Sequence, residues 1–86
     1  MIQIYGSVLC PDCVACKEAF DEEGVAYIFR DFSEELPALK EFLTIRDREQ
    51  IFDDVRKNGK IGIPCLVLAD GSVSLDWEGC LHRLIK

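Results

Sequence analysis

Cys10-Pro11-Asp12-Cys13 sets two thiols three positions apart. At the start of a helix, that spacing lets two sulfurs close a small ring with acceptable disulfide geometry. The first sulfur would also face the unpaired amides and positive end of the helix, which favour a thiolate. Such a pair is suited to thiol–disulfide exchange, in which one thiol attacks a disulfide and the other resolves the mixed disulfide. The more exposed Cys10 is the expected nucleophile, and Cys13, one turn deeper, the resolving thiol. Asp12 is an unfavourable neighbour for a thiolate, although an aspartate in a first helical turn is itself favourable. Lys17, on the same helix, would offset part of that charge.

Three more thiols, Cys16, Cys65 and Cys80, bring the count to five, so complete intramolecular pairing is impossible. The spacing of Cys10, Cys13 and Cys16 also suits a metal or iron–sulfur ligand set, with Cys65, Cys80 and His82 the next candidates. That site would need four good ligands, or a second subunit or small thiol to complete it. The plainer reading turns Cys16 into the core, and no residue is assigned as a metal ligand. Cys65 reads as a core residue, a third redox thiol or a ligand. His82 is expected exposed or half-buried on the last helix. Trp77 is expected to pack sheet against helix, and Tyr5 and Phe29 to lie in the core or sheet.

The elements that would position the dithiol follow from hydrophobic pattern and punctuation. Ile2, Ile4 and Tyr5 before Gly6 predict a short strand. Cys10 to Glu23 predicts a helix with Pro11 in its first turn, Gly24 as its stop and Val14, Ala15, Ala19 and Phe20 facing inward. Val25 to Phe29 predicts the second strand, and Ser33 a helix cap. Leu36, Leu39, Phe42 and Leu43 recur at helical spacing over residues 34–45. A further helix is expected over 47–58, with Asp47 a cap, Ile51, Phe52 and Val55 inward, and Asn58-Gly59 as the stop. Thr44-Ile45-Arg46 holds no strong breaker, so one bent helix is the alternative. Pro64 opens the apolar run 65–69, Asp70-Gly71 signals a two-residue turn, and Val73 and Leu75 form the returning strand, with Trp77 its furthest candidate. Residues 78–86 close the chain as a helix. The order predicts an α/β fold: a small mixed sheet with helices on both faces.

A chain of 86 residues, 49% hydrophobic and 30% charged, is expected to form a single folded domain over residues 1–86. The formal charge of -6 is uneven: residues 1–35 carry eight acids and two bases, and the remainder carries eight of each. That balance argues against nonspecific nucleic-acid binding, which needs a run of phosphate-neutralising bases. Asp21-Glu22-Glu23 reads as a solvated helix end. No apolar run approaches a membrane span, and no basic stretch leads into an apolar one, so a cytoplasmic, reducing setting is expected.

Taken together, Cys10-Pro11-Asp12-Cys13 after a strand, Ile63-Pro64 before a hairpin, and Glu78-Gly79-Cys80 before a last helix resemble a glutaredoxin-like protein of the thioredoxin superfamily. The resemblance covers nearly the whole chain and implies a four-stranded mixed sheet flanked by helices. It implies a dithiol oxidoreductase that reduces protein or glutathione mixed disulfides, with Pro11 and Asp12 beside the substrate. It also implies that Pro64 is cis beside the dithiol and that Ile63 pairs by its backbone with substrate. Gly79 and Cys80 would offer the start of the last helix to a carboxylate of glutathione, with Lys57 or Lys60 attracting the other carboxylate. The acid expected after this glycine is missing, and Glu78 precedes it instead. No tightly bound cofactor is implied. Glutathione is a co-substrate option, a thioredoxin-reductase-like protein is the alternative electron donor, and the partner is a disulfide-containing protein or glutathione. A cluster-binding relative and a noncatalytic thioredoxin-fold partner module are the competing functions.

Overall fold

The computed structural model describes all 86 residues. β1 (Ile2–Gly6) leads into α1 (Pro11–Glu22), which crosses to β2 (Tyr27–Asp31). Then come α2 (Leu36–Arg48), a 3-10 turn (Gln50–Phe52), α3 (Asp53–Lys57), β3 (Cys65–Val67), β4 (Val73–Ser74) and α4 (Trp77–Leu84). The strands form one sheet in the order β2-β1-β3-β4. β1 runs parallel to β2 and antiparallel to β3, and β4 returns antiparallel to β3. This is the mixed sheet with flanking helices that the element order predicts.

Strand alternation builds two cores, because successive side chains leave opposite faces of a sheet. On one face Ile2, Ile4 and Leu66 pack with Cys16 and Phe20 of α1 and Cys80 and Leu81 of α4. On the other, Tyr5 and Cys65 pack with Phe42 and Ile45 of α2 and with Phe52. Fully burying a phenylalanine contributes about 1.5–3 kcal/mol, so Phe20 on one face and Phe42 and Phe52 on the other are principal anchors.

Several boundaries differ from expectation for local reasons. The second strand starts at Tyr27, two residues late, because Gly24 (φ +66) turns the chain and the Val25 amide returns to the Phe20 carbonyl at 3.0 Å. With the Gly24 amide bonded to Asp21, this is a Schellman closure that uses up the residues after the helix. α2 runs unbroken through Thr44-Ile45-Arg46, so Asp47 lies inside it; the break falls at Glu49, whose backbone is extended. Glu35, not Ser33, stands at the N-cap of α2. The buried residues of α2 are Ala38, Phe42 and Ile45, whereas Leu36 and Leu43 are exposed. In α1 the inward residues are Cys13, Cys16 and Phe20, with Ala19 beside them; Ala15 is exposed. Ile51 also faces out. The hairpin loop has three residues, Ala69 to Gly71, because Leu68 donates to the Ser72 carbonyl at 2.8 Å. Gly71 takes the positive φ (+87) that such a loop requires.

Candidate dithiol site

Antiparallel pairing aligns Tyr5 with Cys65, which brings the C-terminal end of β1 to the N-terminal end of β3. The loop after β1 carries the dithiol, and Ile63-Pro64 immediately precedes β3. Two segments more than fifty residues apart in sequence thus meet at one end of the sheet. The Ile63–Pro64 peptide bond is cis. Pro64 is buried and Ile63 half-buried against the second core.

Cys10 is the N-cap of α1, in extended conformation, and Pro11 occupies the first helical turn. The Cys10 carbonyl accepts the Val14 amide at 3.1 Å, so the helix begins against it. The Cys10 side chain is partly exposed; Cys13, one turn on, is fully buried, and all five cysteines are free thiols. Cys10 and Cys13 stand one turn apart at the start of the same helix. Burial pushes the Cys13 thiol up to about 12, against the opposing pull of the Ser7 backbone amide. Cys13 therefore keeps its proton at neutral pH while Cys10 meets solvent.

Ser7 organises the loop between β1 and α1. Its carbonyl accepts the Cys10 amide at 3.1 Å, and its hydroxyl accepts the Leu9 amide at 3.1 Å. Ser7 Oγ also donates to Ser33 Oγ at 3.1 Å, and the Ser33 hydroxyl donates in turn to Asp31. Asp31, buried at the end of β2, also accepts the Ser33 amide at 2.9 Å. These donors, led by the Ser33 hydroxyl, hold its carboxyl below the usual carboxylate range. The dithiol loop is thereby fastened to the neighbouring strand by charge-assisted hydrogen bonds. Lys17 lies over the Phe29 ring at 4.3 Å and adds to the field at Asp31.

Gly6 is required for space. A Cβ there would fall 2.5 Å from Cys13 Sγ. Neither Gly6 nor the Ser7–Ser33–Asp31 chain was singled out in the sequence. The available signal was a glycine and a serine ending the strand just before the dithiol, with Asp31 and Ser33 at the end of the next strand.

The remaining candidates divide. Pro11 and Asp12 are exposed beside Cys10, and Lys57 and Lys60 are exposed at the end of α3 and beyond it. Gly79 and Cys80 lie in the first turn of α4, but Asp76 caps that helix. Its Oδ1 accepts the Gly79 amide at 3.1 Å, and its backbone carbonyl accepts the Cys80 amide at 3.1 Å. The Cys80 side chain turns into the core, where Arg83 donates to its sulfur at 3.4 Å. Cys16 and Cys65 are fully buried, and burial pushes both thiols up to about 12. No three His, Cys, Asp or Glu side chains are grouped to hold a metal ion. His82 is exposed, and Trp77 packs partly buried against the first core. The acids Asp21, Glu22 and Glu23 sit at the far end of α1, roughly 16–20 Å from Cys10 at 1.5 Å per residue. Much of the acidic excess of the first 35 residues is therefore remote from the dithiol.

A mixed sheet in this order, with a dithiol at the β1–α1 junction and a cis proline entering β3, defines a small protein of the thioredoxin/glutaredoxin fold. No described protein family matches the sequence, and no solved structure matches it either. The chain is 40% identical over 67 residues to an uncharacterized protein of Haemophilus influenzae, a match covering 78% of each chain. It belongs to the same family as that protein.

Proposed function

We propose that this protein is a dithiol oxidoreductase that reduces disulfides in proteins. The observation that carries this reading is the asymmetry of the pair: Cys10 is partly exposed at the helix start, and Cys13, one turn on, is buried. The Cys10 thiolate attacks one sulfur of the substrate disulfide, forming a mixed disulfide and releasing the other sulfur as a thiolate that takes a proton. Cys13 then gives up its proton and attacks Cys10 Sγ. The second substrate thiol leaves, and the Cys10–Cys13 disulfide remains, so two electrons pass to the substrate. Ile63 offers its backbone to the chain that flanks the target disulfide, and Pro11 and Asp12 border the attacking sulfur.

Asp76 supports a protein substrate over glutathione. A helix start attracts a carboxylate through its free amides, but here the chain's own carboxylate already accepts the Gly79 amide. A glutathione carboxylate would compete with it for the Gly79 amide, and Lys57 and Lys60 alone are exposed, screened charges. Regeneration is therefore assigned to a reductase protein of the thioredoxin-reductase type, acting on the oxidised pair.

The test compares wild type, Cys10→Ser and Cys13→Ser in reduction of a protein disulfide. Cys10→Ser should abolish turnover, and Cys13→Ser should trap a mixed disulfide visible by mass spectrometry. An unchanged rate in Cys10→Ser would overturn the assignment. Supplying electrons from glutathione or from thioredoxin reductase, in parallel, should favour the second donor.

A further inference from the structure

The connection from α3 to β3 is held by side chains that the dithiol does not explain. Arg46, near the end of α2, turns its guanidinium onto this connection. Its Nε donates to the Ile61 carbonyl at 3.0 Å and its Nη2 to the Lys60 carbonyl at 2.6 Å. Arg56 of α3 donates back to the carbonyls of Arg46 and Glu49, the latter at 3.2 Å, and pairs with Asp53. On the other side, Gly62 (φ +92) lies against Phe52: a Cβ there would fall 2.7 Å from a ring carbon. The same Cβ would fall 3.0 Å from Val55 Cγ1. Ile63 then packs on the cluster that contains Phe52.

Residues 61–64 have no helical or strand structure, and none of the backbone hydrogen bonds outside the regular elements involves them. The polar anchoring lies at the head of this segment, where the forked guanidinium takes the Lys60 and Ile61 carbonyls, and Gly62 then packs on the Phe52 ring. An arginine is suited to this task because its planar fork presents two donors in fixed geometry, which a lysine cannot reproduce. A segment fixed before substrate arrives avoids the ordering entropy that a mobile one would lose on binding.

We propose that Arg46, locked by Arg56, is a positioning residue that holds the Gly62-Ile63-Pro64 backbone ready for an extended peptide flanking the target disulfide. Helices α2 and α3 thereby take part in substrate selection without touching the dithiol. The proposal rests on the oxidoreductase reading above. It separates two substrate classes: a disulfide flanked by peptide backbone uses the braced segment, whereas a small disulfide without backbone does not.

The experiment compares wild type, Arg46→Gln and Arg46→Lys on two substrates, the disulfide-linked dimer of a cysteine-containing hexapeptide and dithiobis(nitrobenzoate). In Arg46→Gln, KM for the peptide disulfide should rise about tenfold with kcat nearly constant, as expected for lost positioning of bound substrate. Reduction of dithiobis(nitrobenzoate) should change less than about twofold, and Arg46→Lys should recover part of the peptide KM. A wild-type peptide KM in Arg46→Gln, or equal losses on both substrates, overturns the proposal. Amide 15N–1H NOE values provide a readout independent of turnover: at Gly62 and Ile63 they should match β3 in wild type and fall in Arg46→Gln, with α1 unchanged. Identical values in the two proteins overturn the brace even where turnover is absent. Wild type inactive on both disulfides would overturn the oxidoreductase reading instead.

Discussion

At the scale of single residues, Gly6 is under the tightest constraint near the dithiol. Replacing it with alanine places a methyl carbon 2.5 Å from Cys13 Sγ and 3.3 Å from Cys13 Cβ. Overpacking of this kind costs about 1–3 kcal/mol, and the sulfur is the atom that must yield. Gly6→Ala should therefore lower stability and slow the resolving step, so that a mixed disulfide on Cys10 persists in a mass-spectrometric time course. Decay of that species at the wild-type rate would show that Cys13 had not been displaced. The thiol pair itself was legible in the sequence because its spacing and its place before a helix are local properties. The Ser7–Ser33–Asp31 chain was not, because it joins residues 26 positions apart across two strands. Asp76 was not legible for a different reason: the resemblance places its acid after Gly79, whereas the capping acid here precedes the helix.

At the scale of elements, α1 is well begun and poorly ended. Pro11 and Asp12 suit its first turn, but the last turn carries no base and the acids Asp21, Glu22 and Glu23 cluster there. Carboxylates at a helix C-terminus oppose the macrodipole. Asp21 has compensation, since Tyr27 Oη donates to it at 2.8 Å; Glu22 and Glu23 have none among the hydrogen bonds and ion pairs. Glu22→Lys should therefore raise the unfolding free energy by about 0.3–1 kcal/mol, measured by urea denaturation at low ionic strength, with the gain shrinking in salt. A loss of stability would mean that Glu22 has a role the helix dipole does not capture. Element type was largely readable from pattern, but boundaries were set by backbone details: the Schellman closure at Gly24 and the extended Glu49 are hydrogen-bonding outcomes that hydrophobic spacing does not encode. On α1, Phe20 and Ala19 face inward as the pattern predicts, but Ala15 is exposed and the buried Cys13 and Cys16 complete that face.

At the scale of the whole molecule, three thiols share one electrostatic fate. Burial raises Cys13, Cys16 and Cys65 each to about 12, whereas an exposed thiol in an unfolded chain titrates near about 8.5. The unfolded state therefore loses these protons first. Their contribution to stability is fully present below about pH 8.5 and is lost as pH rises from there towards 12, by up to ~1.4 kcal/mol per pH unit for each thiol. Urea unfolding at increasing alkaline pH should show this decline, and Cys65→Ala should reduce its slope by about a third. An unfolding free energy independent of pH between about 8.5 and 10.5 would contradict the burial of these groups.

The register of β1 against β3 has a consequence for how much the chain between them can change. Tyr5 opposite Cys65 fixes the separation of the dithiol loop from Pro64 through the sheet itself. The intervening residues close a loop, and lengthening or shortening such a loop changes its closure entropy only slowly. Connections of quite different length between β2 and β3 are thus compatible with the same sulfur-to-proline spacing. What a shorter connection would forfeit is Arg46 and its hold on residues 60 and 61. The sheet register sets where the dithiol loop and Pro64 meet, and Arg46 belongs to the connection that can vary.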